Sequence, residues 1–101
     1  FASGLAGFDM QTMKLVPGGV QNQTRKTLES LQEVVRAGGA SMDDVVACAV
    51  YLQDMKDFAA MNEVYKTFFT KPAPARVATQ VAGLIAGASV EIQCTVAIEV
   101  F

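Results

Sequence analysis

Residues 45–69 read VVACAVYLQDMKDFAAMNEVYKTFF, and the change of pattern inside this stretch decides the fold. Residues 45–53 are rich in β-branched side chains and have the length of a strand. Asp54 can then cap a helix, and the apolar residues after it recur at steps of three and four. Lys71 and the prolines beside it end this pattern, because proline cannot continue a helical hydrogen-bond ladder. The stretch therefore predicts a strand followed by an amphipathic helix with the buried side chains Phe58, Met61, Tyr65, Phe68 and Phe69.

The flanking sequence adds further elements on both sides. These are the end of a strand running into a turn at 1–7, a loop or hairpin at 8–19, a helix from Val20 to the glycines at 38–39, and two strands at 76–82 and 89–100. The order strand, helix, strand, helix, strand, strand predicts an α+β fold, an α/β sandwich with two helices on one face of a mixed β-sheet. A length of 101 residues supports a single domain over residues 1–101.

The predicted strands alternate between two kinds of face. One face carries bulky apolar side chains that two helices can cover, and the other mixes alanine with polar groups. This pattern assigns Val46 and Val77 to the covered face, and Arg76 and Glu91 to the mixed face. A face of mixed composition is too apolar for free solvent, so it predicts packing against other copies in a homo-oligomer. The alternative is an ordinary solvated face of an antiparallel sheet.

The composition excludes several classes of function. The chain has no histidine, which rules out Ser-His-Asp and Cys-His catalytic sites and histidine-ligated metals within it. Its formal net charge of -2 argues against nonspecific binding of nucleic acid. No apolar run in the sequence reaches the roughly 18 residues that a membrane span requires. Cys48 and Cys94 lie far apart in apolar runs, so they are predicted to be two buried free thiols in a reduced, intracellular protein.

One charged pair is the strongest candidate for chemistry on spacing alone. If the strands of Arg76 and Glu91 are neighbours, the guanidinium can grip a planar carboxylate while the glutamate holds a water or accepts a proton. The alternative is an ion pair between two strands that satisfies only itself. On spacing alone, Ser3-Gly4 is typical of a serine before a tight turn, and Asn62 of a structural side chain beside the apolar stripe.

Four segments, in their order and spacing, resemble the RidA (YjgF) family: FASGLAGFDMQTMKLVPGG, VYLQDMKDFAAMNEVYKTFF, PAPARVATQV and ASVEIQCTVAI. The most specific elements are the proline-alanine-arginine step that ends at Arg76 and the VEI strand that contains Glu91. A helix pattern from Asp57 to Tyr65 supports them. The resemblance covers essentially the whole chain.

The resemblance implies a chorismate mutase-like fold that assembles as a homotrimer, with three sheets in a central barrel and ligand clefts between subunits. It implies hydrolysis of reactive enamine or imine intermediates, such as 2-iminobutanoate and 2-iminopropanoate, to 2-keto acids and ammonia, with no metal or organic cofactor. On this basis Arg76 binds the substrate carboxylate, Glu91 positions the hydrolytic water, and Ser3, Gly4 and Asn62 line the substrate pocket. The expected partner is a small 2-imino acid rather than a membrane or nucleic acid. The expected compartment is the cytoplasm, with a mitochondrial or nuclear pool as an alternative.

The sequence departs from the family pattern at several positions. Ala73 stands where many members have an aromatic residue, Leu5 where glutamine is common, and Ala78 where some bacterial members have a cysteine. The first two changes affect the expected substrate size and rate. Because the chain opens at Phe1 in strand-like sequence, it is expected to be a fragment, with a strand and the family's pocket tyrosine upstream.

Two alternative functions stay open: a translation inhibitor with ribonuclease activity, and a non-catalytic small-carboxylate-binding or chaperone-like module.

Overall fold

The structure, a computed structural model, describes residues 2–9, 11–12, 14–69 and 74–97, and its elements follow the predicted order. The strands are β1 (Ala2–Ala6), β2 (Phe8–Asp9), β3 (Lys14–Leu15), β4 (Val45–Leu52), β5 (Ala75–Gln80) and β6 (Val90–Val96). The helices are α1 (Gly19–Ala37) and α2 (Phe58–Tyr65). Within the described residues, no helix is both long and apolar enough to cross a bilayer. The predicted loop or hairpin is a hairpin, because β2 pairs antiparallel with β3.

The stretch that decides the fold forms a strand and a helix, but the helix is shorter than predicted. Asp54 caps a short 3₁₀ turn in front of α2, where its carboxylate accepts a 2.9 Å hydrogen bond from the backbone N–H of Lys56. α2 ends at Tyr65, well before the prolines. The N–H groups of Thr67 and Phe68 bond to carbonyls three residues earlier, and this tighter turn ends the α-helix.

A mixed four-stranded sheet with the strand order β1-β6-β4-β5 forms the second layer. β5 runs parallel to β4, whereas β6 pairs antiparallel with both β4 and β1. The prediction of a mixed sheet is therefore confirmed. β4 lies between β5 and β6, so the strands that carry Arg76 and Glu91 are not neighbours.

The two helices and one face of the sheet enclose the core, as predicted. Its members come from both helices, from β4 and from β6. The most deeply buried aliphatic side chains are Leu28, Leu31, Val50, Leu52, Met61, Val90 and Ile92. Burial of each side chain of this size contributes about 1.5–3 kcal/mol, so this layer holds α2 firmly over the sheet.

β5 presents the opposite faces from those predicted. In the parallel register, Arg76 lies beside Cys48 and Val77 beside Ala49, and Cys48 belongs to the buried face. Arg76 is therefore on the helix side of the sheet, while Val77 is on the open side and 64% exposed. The prediction failed because α2 covers this edge strand with aromatic rings, which pack on a guanidinium as well as on an aliphatic side chain.

A bulge at the start of β4 also changes the predicted pattern. The pairing with β6 shifts between Val45 and Ala47. As a result Val45 is buried and Val46 is 48% exposed, the reverse of the prediction. An extra residue in one strand moves its neighbours to the other face, which strict alternation cannot anticipate.

Cys48 and Cys94 are joined by a disulfide, so the prediction of two free thiols is wrong. The antiparallel register of β4 and β6 puts the two residues directly opposite each other, with 4.1 Å between their Cα atoms. They lie 46 residues apart in sequence, and their spacing does not reveal this register. The argument for a reduced compartment, which depended on free thiols, does not hold.

Candidate active site

Arg76, near the start of β5, directs its guanidinium toward α2. Its Nη1 donates a hydrogen bond to Oδ1 of Asn62. The guanidinium carbon also lies 4.9 Å from the ring centroid of Tyr65 and 5.1 Å from that of Phe58. One hydrogen bond and two cation–π contacts therefore fix the guanidinium on the helix side of the sheet.

The period of α2 explains why one helix supplies all three contacts. Phe58, Asn62 and Tyr65 follow each other at steps of four and three, so they lie on one side of the helix. The structure thus brings Asn62 and Arg76 together, as the sequence motif predicted for two residues of one pocket. The role of Asn62 in contacting a substrate stays a prediction.

A cavity of about 340 Å³ opens beside Arg76. Its described lining contains two cations, Arg76 and Lys66, and no acidic side chain. Guanidinium has five N–H donors in a planar fork, so the hydrogen bond to Asn62 leaves others for a ligand. The cavity is suited to a small planar anion such as a carboxylate. The described lining residues are Asn62, Tyr65, Lys66, Phe69, Pro74 and Arg76.

Tyr65 separates this cavity from the core, and only 5% of its surface is exposed. Burial raises the pKa of the phenol above its usual value, and the positive charge of Arg76 partly opposes that shift. The phenol therefore stays protonated at neutral pH. Its hydroxyl is buried and has no hydrogen-bond partner in the described part of the chain.

A second group of predicted site residues lies on β1 and β6. Glu91 pairs with Tyr51 on one side and with Ala6 of β1 on the other. Ser3 and Gly4 lie in β1 where its pairing with β6 shifts, a bulge of the kind often found next to active sites. The structure therefore brings Ser3 and Gly4 close to the strand that carries Glu91.

The two groups do not meet within one chain. Arg76 is on the helix face of the sheet, whereas Glu91 shares the open face with Tyr51. Arg76 also lies on the edge strand β5, with β4 between it and β6. The prediction that Arg76 and Glu91 share one face of the sheet is wrong, because the phase of β5 is opposite to the one assumed.

Sequence reasoning missed three contributors to the site. Phe58 and Tyr65 were predicted as core side chains only, yet both also face Arg76. Lys66 received no role, although it is the residue that follows Tyr65 at the end of α2. The step of three and four residues that links Phe58, Asn62 and Tyr65 was the available signal. Ala73, which was expected to affect substrate size, lies outside the described residues.

The described residues contain no candidate metal site. None of their His, Cys, Asp and Glu side chains form a group of three or more that could hold a metal ion. A reaction without a metal or organic cofactor stays a prediction from the family motifs.

The fold and the arginine site define a class: small α+β proteins with a guanidinium held beside a small cavity on the helix side of a mixed sheet. Residues 1–98 match a family model described as Endoribonuclease L-PSP. The chain belongs to this family, the RidA (YjgF) family, and the resemblance inferred from its motifs is confirmed.

Relatives with and without an assigned activity are similar to this chain. RutC family protein UK114 of Drosophila melanogaster is 49% identical over 94 residues, which cover 93% of this chain and 68% of the relative. The 2-iminobutanoate/2-iminopropanoate deaminase of Mus musculus is 44% identical over 93 residues, covering 92% of this chain and 69% of that enzyme.

Solved structures of the family superpose closely on the chain. RidA from an Antarctic Psychrobacter has a TM-score of 0.90 at 42% identity, over 95% of this chain and 77% of that one. TdcF of E. coli with bound serine has a TM-score of 0.90 at 36% identity, over 96% and 78%. The likeness therefore extends over nearly all of this chain.

Proposed function

We propose that the protein is a deaminase that hydrolyses reactive enamine and imine intermediates, with 2-iminobutanoate and 2-iminopropanoate as substrates. The observation that carries this proposal is Arg76, a guanidinium held by Asn62 and two aromatic rings beside a small cavity without described acidic lining. The name of the mouse relative, at 44% identity, supports this substrate class.

In the proposed hydrolysis, the main task of the protein is to position the substrate and the attacking water. In the proposed reaction Arg76 binds the substrate carboxylate and Glu91 accepts a hydrogen bond from the attacking water. The water oxygen bonds to the imine carbon to give a carbinolamine, and a proton moves to nitrogen. The carbinolamine hydroxyl then loses its proton as the C–N bond breaks, so that its oxygen becomes the carbonyl of the 2-keto acid and the nitrogen takes up that proton and leaves as ammonia. Because an imine carbon is already electrophilic, orientation of water and substrate supplies most of the rate.

We propose further that the complete site is shared between copies in a homotrimer with a central barrel. Arg76 and Glu91 lie on opposite faces of one sheet, so a pocket that contains both needs a second copy. The open face also carries Val77, whose side chain is 64% exposed and would be covered by packing against a second copy. Both observations support self-association through the open face.

Substitution of Arg76 tests the proposed activity. We expect Arg76→Ala to lower kcat/KM for 2-iminobutanoate by about 100-fold, since a charge-assisted hydrogen bond to the substrate is lost. The imine is generated in situ, and release of 2-oxobutanoate is followed above the uncatalysed rate. Arg36→Ala is the matched control, because Arg36 is exposed in the last turn of α1 and does not line the cavity.

Size-exclusion chromatography should give the same elution volume for Arg76→Ala as for the unsubstituted protein. Unchanged turnover in this variant, with assembly intact, would overturn the proposed role of Arg76.

A ribonuclease or translation inhibitor is the second candidate, since the matching family model is described as an endoribonuclease. The net charge of -2 and the absence of histidine in the sequence do not favour it. Ribonuclease activity that copurifies with the protein and survives Arg76→Ala would support it. Tight binding of 2-oxobutanoate without imine turnover would instead favour a binding module.

The cytoplasm as the compartment stays a prediction, to be checked by imaging the tagged full-length protein.

A further inference from the structure

Lys66 is a cation of the cavity that the proposed reaction does not use. It is the first residue after α2, and its backbone N–H donates a 3.0 Å hydrogen bond to the carbonyl of Asn62. This bond anchors the base of an exposed side chain at the rim of the cavity. Among the described residues, the Lys66 ammonium makes no hydrogen bond or ion pair.

The acidic residue closest to Lys66 on α2 does not neutralise it. Glu63 accepts a 3.3 Å hydrogen bond from Nε2 of Gln21 on α1, and it does not line the cavity. Arg76 donates its hydrogen bond to the neutral amide of Asn62. Two positive charges therefore face one cavity without a described acidic partner, whereas a monocarboxylate ligand supplies only one negative charge.

We propose that Lys66 makes the site selective for 2-imino acids with a second carboxylate at the end of the side chain. Arg76 binds the carboxylate next to the imine carbon, where a planar fork matches a fixed geometry. Lys66 binds the distal carboxylate, because a compact charge on a flexible stem can follow a group whose position varies with chain length. This inference rests on the imine hydrolysis proposed for the same site.

The test compares two imines of the same shape that differ in one charge. One imine is generated in situ from aspartate and ends in a carboxylate. The other is generated from asparagine and ends in a carboxamide. 2-Iminobutanoate serves as the reference substrate. We expect kcat/KM to be about fivefold higher for the carboxylate at low ionic strength, as for an exposed ion pair. Added salt should reduce this ratio, because it screens an exposed charge.

Lys66→Gln should remove the preference, because kcat/KM should fall further for the imine with two carboxylates than for the carboxamide imine or 2-iminobutanoate. Lys56→Gln is the matched control, because Lys56 is an exposed lysine that does not line the cavity, and it should keep the preference. Equal kcat/KM for the two imines in the unsubstituted protein would overturn the inference alone. An equal loss on all imines in Lys66→Gln would also overturn it. Absence of turnover on all three imines would contradict the proposed function as well.

Discussion

Arg76 illustrates how single side chains can prepare a binding group without neutralising it. Two aromatic rings and one amide hold the guanidinium, and none of these partners carries a negative charge. Its positive charge is therefore not neutralised by these contacts, which is what the proposed binding of a substrate carboxylate requires. Asn62 and the rings of Phe58 and Tyr65 act as positioning groups for Arg76.

Tyr65 offers a test of this arrangement at the scale of one residue. Tyr65→Phe keeps the ring and removes a buried hydroxyl without a described partner, so we expect the free energy of unfolding to rise by about 1 kcal/mol with KM unchanged. Tyr65→Leu removes the cation–π contact, and we expect KM for 2-iminobutanoate to rise about threefold with kcat nearly unchanged. Urea denaturation and steady-state kinetics measure the two effects.

Phe68→Leu is the control for these variants. Phe68 is partly buried against the core but does not line the cavity. Its truncation should lower stability without changing KM. A rise of KM in Tyr65→Phe equal to that in Tyr65→Leu would contradict a contact through the ring and indicate one through the hydroxyl.

The elements themselves were largely predictable from the sequence, because their signals are local. The period of two in β4 and the step of three and four in α2 each depend on neighbouring residues only. The end of α2, the bulge at Val45 and the phase of β5 were not predictable, since each depends on which residue of another strand or turn it meets. The same holds for the candidate site. The family motif identified Arg76 and Asn62 as candidate residues, but it could not predict the face of the sheet on which Arg76 lies.

The disulfide between β4 and β6 gives a prediction at the scale of elements. It closes a sequence separation of 46 residues between two central strands. We expect a reducing agent to lower the free energy of unfolding by about 2–4 kcal/mol, since it frees the unfolded chain from this crosslink. Urea denaturation with and without reductant measures the change.

A variant without either thiol, Cys48→Ala combined with Cys94→Ala, is the control for that experiment. Its stability should not depend on reductant. Titration of two free thiols in the denatured, unreduced protein would contradict the disulfide.

At the scale of the whole molecule, one chain carries two separate groups of candidate site residues. Arg76 and Asn62 are on the helix side at the β5 edge, while Ser3, Gly4 and Glu91 are on β1 and β6 toward the other edge. A chain of 101 residues has little room to enclose a pocket within its own core. The proposed cleft between two copies would solve this problem, because each copy would then need to supply only one wall.

Mixing two inactive variants tests whether the site is shared. Arg76→Ala lacks the proposed carboxylate-binding group and Glu91→Gln lacks the proposed water-positioning group, so each alone should hydrolyse 2-iminobutanoate far more slowly than the unsubstituted protein. After the two are unfolded and refolded together, an intact Arg76 of one copy meets an intact Glu91 of another, and part of the activity should return. Val77→Asp, added to both variants, puts a charge on the open face, so it should prevent both assembly and the return of activity. Val34→Asp is the control, at a valine of α1 that is 49% exposed, and it should prevent neither assembly nor the return of activity. Mixed oligomers of composition verified by native mass spectrometry that recover no activity would contradict a site shared between copies.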